Sequence, residues 1–232
     1  MLPVLVIRPE PGGAATVRAA RAMGLEAHGF PLFAIQPLVW QVPPADSFDA
    51  LLIGSANALR HGGAALAAWR GKPVYAVGET TAAAARAAGL AIAATGEGGL
   101  QQLLAQIAPQ HRRLLRLAGR ERIDLAVPPG LNLTEREVYA SEPVAAPREL
   151  SERLGAGGIV MLHSREAALH FAAECDRLGI ARPKLAIAAL GPRIAAAVGA
   201  GWARVASAPG PSDQALLALA SRMCQNNPGS TL

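Results

Sequence analysis

Four hydroxyl side chains stand where a strand-like run gives way to a helix-like one. Ser55 follows Ala50 to Ile53, Thr80 and Thr81 follow Val74 to Val77, and Ser164 follows Ile159 to Leu162. A hydroxyl at such a junction, beside the free N–H groups that begin a helix, suits the binding of an anion. The same hydroxyls also suit a plainer task, capping the helix by accepting one of its orphan N–H groups; one that borders a cleft serves both. Other chemistries lack their residues. The five histidines form no HxxxH or HExxH pair, which predicts no metal site. Cys175 and Cys224 lie far apart in helix-like stretches without CxxC spacing, and read as small buried thiols. Pro11-Gly12-Gly13 is too short for a GxGxxG fingerprint, so no dinucleotide cofactor is expected. His163 reads as a strand-end residue without a catalytic role.

The formal charge of +5 narrows the anion. The arginines are dispersed, no Lys/Arg run exceeds two residues, and aromatics, at 4%, do not interleave with them as a base-stacking platform requires. A small polyanion fits better than nucleic acid. No apolar run reaches eighteen residues, so no membrane span is expected. The start, Met1-Leu2-Pro3-Val4, carries no basic region, which predicts a cytoplasmic protein.

The elements that must hold these residues are written as alternating periods. Val4 to Ile7, Ala50 to Ile53, Val74 to Val77, Ile92 to Ala94, Leu114 to Leu117, Ile159 to Leu162, Leu185 to Leu190 and Arg204 to Ala206 are short apolar runs with Ala-rich helical stretches between them. Among these stretches are Ala14 to Met23, Ser55 to Leu66 and Thr80 to Ala88. With 51% hydrophobic residues and few aromatics, the core must be Ala, Leu, Val and Ile, which suits helices on parallel sheets. The pattern repeats. Leu51 to Leu59 resembles Val160 to Leu169, and Val77-Gly78-Glu79-Thr80-Thr81 resembles Leu190-Gly191-Pro192-Arg193-Ile194. Leu103 lies 25 residues after Gly78 and Leu216 lies 25 after Gly191. The predicted fold is therefore α/β, with two similar lobes, each a parallel sheet flanked by helices.

The lobes are expected to be interleaved. The βα unit before residue 30 cannot stand alone, and the last third gains a strand by adopting Val4 to Ile7. Domain one is thus 1–30 with 146–224, and domain two is 40–135. Between them, 31–39 and 136–145 carry Pro31, Pro37 and Pro143 and read as a two-stranded β connector. The tail, 225–232, reads as disordered.

In this order the motifs resemble the uroporphyrinogen-III synthase family. The marks are Val4-Leu5-Val6-Ile7-Arg8-Pro9, Phe48 to Leu59, Tyr75 to Ala82, Leu117 to Leu125 (with Gly119-Arg120-Glu121-Arg122), Glu137-Val138-Tyr139 and Ala188 to Pro192. They cover nearly the whole chain except the tail. The resemblance implies a discontinuous first domain, an inserted second, and a cleft between them bridged by a β-ladder. It implies ring closure of hydroxymethylbilane to uroporphyrinogen III with inversion of the last pyrrole ring and loss of water, without a cofactor. Tyr139 matches the family tyrosine that faces the cleft, a possible proton donor, and Thr81 matches the threonine of the Gly-x-x-Thr turn. Arg8, Ser55, Thr80, Arg120, Arg122, Ser164, Gly191 and Pro192 are the expected contacts to the eight substrate carboxylates. Transient handover from hydroxymethylbilane synthase to a monomer is expected. Three departures stand out. Ile194 replaces a usual Thr, the strand ends read Ile53-Gly54-Ser55 and Leu162-His163-Ser164 in place of Phe-Thr-Ser, and Pro128-Pro129-Gly130 interrupt an expected helix. The alternative is a two-lobed cytosolic binding or sensor module for an acidic metabolite. A nucleotide-sugar transferase lacks its DxD motif here.

Overall fold

Alternate residues of each apolar run face opposite sides of a strand. Both sides are buried in the central runs, such as Val4 to Val6, Ala50 to Ile53 and Ile159 to Leu162, but not in the edge runs that hold Ile92 and Val205. The computed structural model describes residues 2–225; the predicted tail, but for its first residue, lies outside them. Its first half contains β1 (Val4–Val6), α1 (Gly12–Ala22), β2 (Ala27–Gly29), β3 (Phe33–Pro37), β4 (Ala50–Ile53), α2 (Ala56–Arg60), β5 (Pro73–Val77), α3 (Glu79–Ala87), β6 (Ala91–Gly96) and α4 (Leu100–Leu104). Then follow β7 (Arg113–Gly119), β8 (Asn132–Pro143), α5 (Arg148–Ala156), β9 (Gly158–Leu162), α6 (Arg165–Leu178), β10 (Leu185–Ala189), α7 (Pro192–Ala197), β11 (Arg204–Ser207) and α8 (Asp213–Gln225).

Two compact units result. One comprises the residues up to Ala34 and those from Glu142 onward, the other Ile35–Ser141. In the first, a five-stranded sheet runs β11-β10-β9-β1-β2 with every pairing parallel. β1 is thus the strand borrowed by the last third of the chain. Val4, Val6, Ile159 and Met161 face α1 and α8 through Val17, Leu216 and Met223. Leu5, Ile7, Val160 and Leu162 face the opposite cluster around Leu150, Phe171 and Trp202. Cys175 lies in that second cluster, and burial pushes its thiol up to about 12.

In the second unit the order is β3-β8-β7-β4-β5-β6, and β4, β5, β6, β7 and β8 pair in parallel. Leu51, Ile53, Val74, Leu115 and Leu117 enter one cluster with Leu66 and Trp69, while Ala50, Leu52, Tyr75 and Leu114 enter another with Leu103. Two expectations about this unit change. The predicted helix over 55–66 ends at Arg60 and continues as a 3-10 segment over Ala64–Trp69. Gly62 lets the chain approach so closely that a Cβ there would lie 2.8 Å from the Ala58 carbonyl, and Gly63 has φ +74°. The expected return stretch is no separate ribbon: β8 begins at Asn132 and pairs with β7 as far as Tyr139. Leu38 N–H bonds to Val138 O and Val144 N–H to Leu32 O, so β3 and β8 run antiparallel.

Candidate active site

Strands that pair in parallel end at one edge of their sheet, and that edge is where open α/β sheets place ligands. In the second unit it gathers Ser55 after β4, Thr80 and Thr81 after β5, and Arg120 and Arg122 after β7. Tyr139 joins them as the register partner of Gly119 at the end of β7. In the first unit it gathers Arg8 after β1, Ser164 after β9, and Gly191 and Pro192 after β10. Every predicted site residue lies at such an edge of its own unit.

Several of them already have partners. Ser55 accepts the Asn57 N–H at 3.2 Å and Ser164 the Ala167 N–H at 3.0 Å, so both are N-caps. Gly78 opens α3 with φ +74°, a conformation that favours glycine, whereas Gly191 opens α7 at φ −167°, open to any residue. Thr80 is exposed and borders an open groove of about 750 Å³ with Arg60, Glu79, Ala83 and Ala87. Thr81, expected to meet the ligand, is only 4% exposed and faces the core. Adjacent helical residues point about 100° apart, which lets Thr81 turn inward while Thr80 stays exposed. Neither the Arg60–Glu79 groove nor His61, whose ring lies 6.2 Å from that of Tyr139, has a signature in the sequence.

Tyr139 owes its place to an irregularity. The β7–β8 register shifts between Ala118 and Gly119, which brings Tyr139 rather than Val138 opposite Gly119. The half-buried ring lies so close over Gly119 that a Cβ there would meet it at 2.8 Å.

The arginines differ most from expectation. Arg122 donates from Nε to Glu135 at 2.9 Å, and from Nη1 to Glu137 at 2.6 Å and to the Arg120 carbonyl at 3.0 Å. Glu137, then Glu135, raise its pKa. Arg116, 3% exposed, donates to Glu135 at 2.6 Å and to the Ile123 carbonyl at 3.0 Å. Burial alone would raise the Glu135 pKa, but Arg122 and Arg116 outweigh it and hold it low. Arg120 lies 3.9 Å from Glu137. These arginines therefore hold carboxylates of β8, because Glu135 and Glu137, two residues apart, lie on one face of the strand.

In the first unit Arg8 is likewise engaged. Its Nη1 donates to Asp213 Oδ1 at 3.1 Å and to Thr16 Oγ1 at 3.2 Å, and Thr16 in turn donates to Asp213 Oδ2 at 2.7 Å. His163 Nε2 meets Asp213 Oδ1 at 2.8 Å. Burial would raise the Asp213 pKa, but His163, Thr16 and Arg8 hold it below the usual range. His163, read from the sequence as a strand-end residue without a catalytic role, thus has a hydrogen-bond partner 50 residues away in sequence. Pro192 is exposed at the start of α7, and Ile194, in place of a hydroxyl, packs on the core.

The family model described as uroporphyrinogen-III synthase HemD matches residues 14–218. A uroporphyrinogen-III synthetase structure from Helicobacter pylori 26695 is similar with a TM-score of 0.63 and 15% identity, covering 96% of this chain and 100% of its own. A mutant uroporphyrinogen III synthase from the extremely thermophilic bacterium Thermus thermophilus has a TM-score of 0.52 and 18% identity, covering 98% of this chain and 100% of its own. At these identities the two structures establish a shared fold. No curated protein sequence matches. Among the described residues no helix is long and apolar enough to cross a membrane.

Proposed function

The chain belongs to the uroporphyrinogen-III synthase family, and we infer from this membership that it closes hydroxymethylbilane to uroporphyrinogen III with inversion of the last pyrrole ring and release of water. It is a cyclising lyase of tetrapyrrole biosynthesis. The observation that carries the reading is the breadth of the family match: residues 14–218 take in most of both units and every candidate position except Arg8.

The chemistry asks more for control than for force. Loss of the terminal hydroxyl leaves an electron-poor carbon, which the substituted position of the electron-rich far ring attacks with its π pair to give a spiro intermediate that rearranges. The free bilane closes unaided to the wrong isomer, so holding one conformation is the main task. The N–H groups that open α2, α3, α6 and α7 supply donors for carboxylates at the strand-end edges. We propose that Tyr139 donates a hydrogen bond or a proton to the departing hydroxyl. Thr80 would contact the ligand from its groove, and Thr81 and Gly191 through their helix starts. Ser55 and Ser164 would act as caps that orient the same amides, and Pro192 would preset the first turn of α7. Arg120 and Arg122 would serve through the charge of their network. A monomer receiving its substrate in a transient handover in the cytoplasm fits a bilane that must not linger in water.

The decisive experiment supplies enzymatically generated hydroxymethylbilane to the purified protein, without metal or nucleotide, and separates the product isomers. Isomer III is expected. Isomer I alone, at the rate of the protein-free control, overturns the reading.

A further inference from the structure

The Asp213 carboxylate is held as a bound ligand would be, by donors from three separate elements. His163 and Arg8 meet Oδ1 at 2.8 and 3.1 Å, and Thr16 meets Oδ2 at 2.7 Å. The donors are built in: Thr16 is fully buried on α1, and the His163 side chain at the exit of β9 is one-tenth exposed. The acceptor is the outer member, with the Asp213 side chain 37% exposed on the first turn of α8. An ionised carboxylate only accepts, so His163 must present Nε2–H to it. Its other nitrogen, Nδ1, is buried without a hydrogen-bond partner among the described residues.

We propose that Arg8, Thr16 and His163 form a carboxylate-binding cradle that Asp213 fills in the free protein and yields to a carboxylate of the linear tetrapyrrole. The identity of the incoming ligand rests on the functional reading above; the cradle itself does not. Exchange of one carboxylate for another keeps every donor paired, while the displaced Asp213 moves from a half-open position into water. A resident carboxylate also spares the protein an uncompensated Arg8 charge beside buried groups when no ligand is bound. The cradle lies at the strand-end edge of its sheet, beside Ser164, which caps α6.

Two variants of the full chain test this, with acetate as the first probe. Asp213→Ala empties the cradle of its own carboxylate. Its melting temperature should fall and then recover saturably with millimolar acetate, not with chloride at equal ionic strength. The double variant Arg8→Ala, Asp213→Ala should lose that response. Asp213→Asn, which keeps the side-chain volume and an accepting oxygen, covers the case in which the alanine variant does not fold. It should lower KM for hydroxymethylbilane by about three- to tenfold, since a competing charge has gone. Recovery no better with acetate than with chloride, or a KM that stays level or rises in Asp213→Asn, overturns the proposal. Failure of the functional reading looks different, because the wild-type protein would then yield isomer I while the acetate response persisted.

Discussion

Tyr139 is the side chain on which the proposed chemistry leans most, and its ring and hydroxyl can be separated. Tyr139→Phe keeps the ring that lies over Gly119 and removes only the donor. A positioned general acid is worth about a hundred- to ten-thousandfold. The loss expected here is at the low end or below it, about ten- to hundredfold in kcat, because the electron-rich pyrrole itself helps expel the hydroxyl. Steady-state kinetics and a melting curve check the pair of outcomes: a slower enzyme of unchanged stability. Full turnover would move proton donation elsewhere. Thr81 belongs to a different class. At 4% exposure it packs in the core, so Thr81→Ala should act on stability first, whereas Thr80→Ala should act on KM with little change in melting temperature.

At the level of elements, the β7–β8 register shift does what no single residue does. By slipping between Ala118 and Gly119 it turns Tyr139 toward the end of β7, and the missing Cβ of Gly119 makes room for the ring. Gly119→Ala therefore displaces Tyr139 without touching its hydroxyl. Overpacking of this kind typically costs about 1–3 kcal/mol, and turnover should fall with it. A variant as stable and as active as the wild type would show that the ring does not need this seat. The two repeated Gly turns teach a related lesson. Gly78 and Gly191 align in sequence, yet only Gly78 has a positive φ. Gly78→Ala should accordingly destabilise the second unit, while Gly191→Ala is conformationally tolerated.

Across the whole molecule, the carboxyls held furthest below their ordinary pKa among the described residues are one in each unit, and both contribute to the response to acid. In the second unit Arg113 holds the Asp49 carboxyl at about 2, helped by the Arg113 and Arg112 N–H groups, against an ordinary 3.8. In the first, Arg177 holds Glu174 at about 2 against 4.5, helped by the Ala146 N–H at 2.6 Å. A carboxyl depressed in the folded state stabilises fully above its unfolded pKa, and that contribution disappears as pH falls through the folded value. Melting temperature should thus hold steady down to about pH 5 and decline from there toward about pH 2. The double variant Asp49→Asn, Glu174→Gln should start lower at neutral pH and decline less steeply over that window. Parallel curves for variant and wild type would place the acid sensitivity in other groups.

What this sequence determined by itself was whatever depends on near neighbours in the chain. The runs at Ala50 to Ile53 and Ile159 to Leu162 read as buried strands from their length and flanking turns, and Ser55 and Ser164 after them could be read as caps, because such signals act within a few residues. The order of such marks even carried the family. The tertiary structure alone decided the partners. Arg8 and Asp213 are 205 residues apart, His163 and Asp213 are 50 apart, and Arg116 and Glu135 are 19 apart. Which charge finds which depends on strand order and register, and these are settled by packing both faces of a sheet rather than by any local preference. The alternation of Glu135, Glu137 and Tyr139 is plain on paper, but the one-residue shift that sends the tyrosine toward Gly119 arises only when β8 lies beside β7.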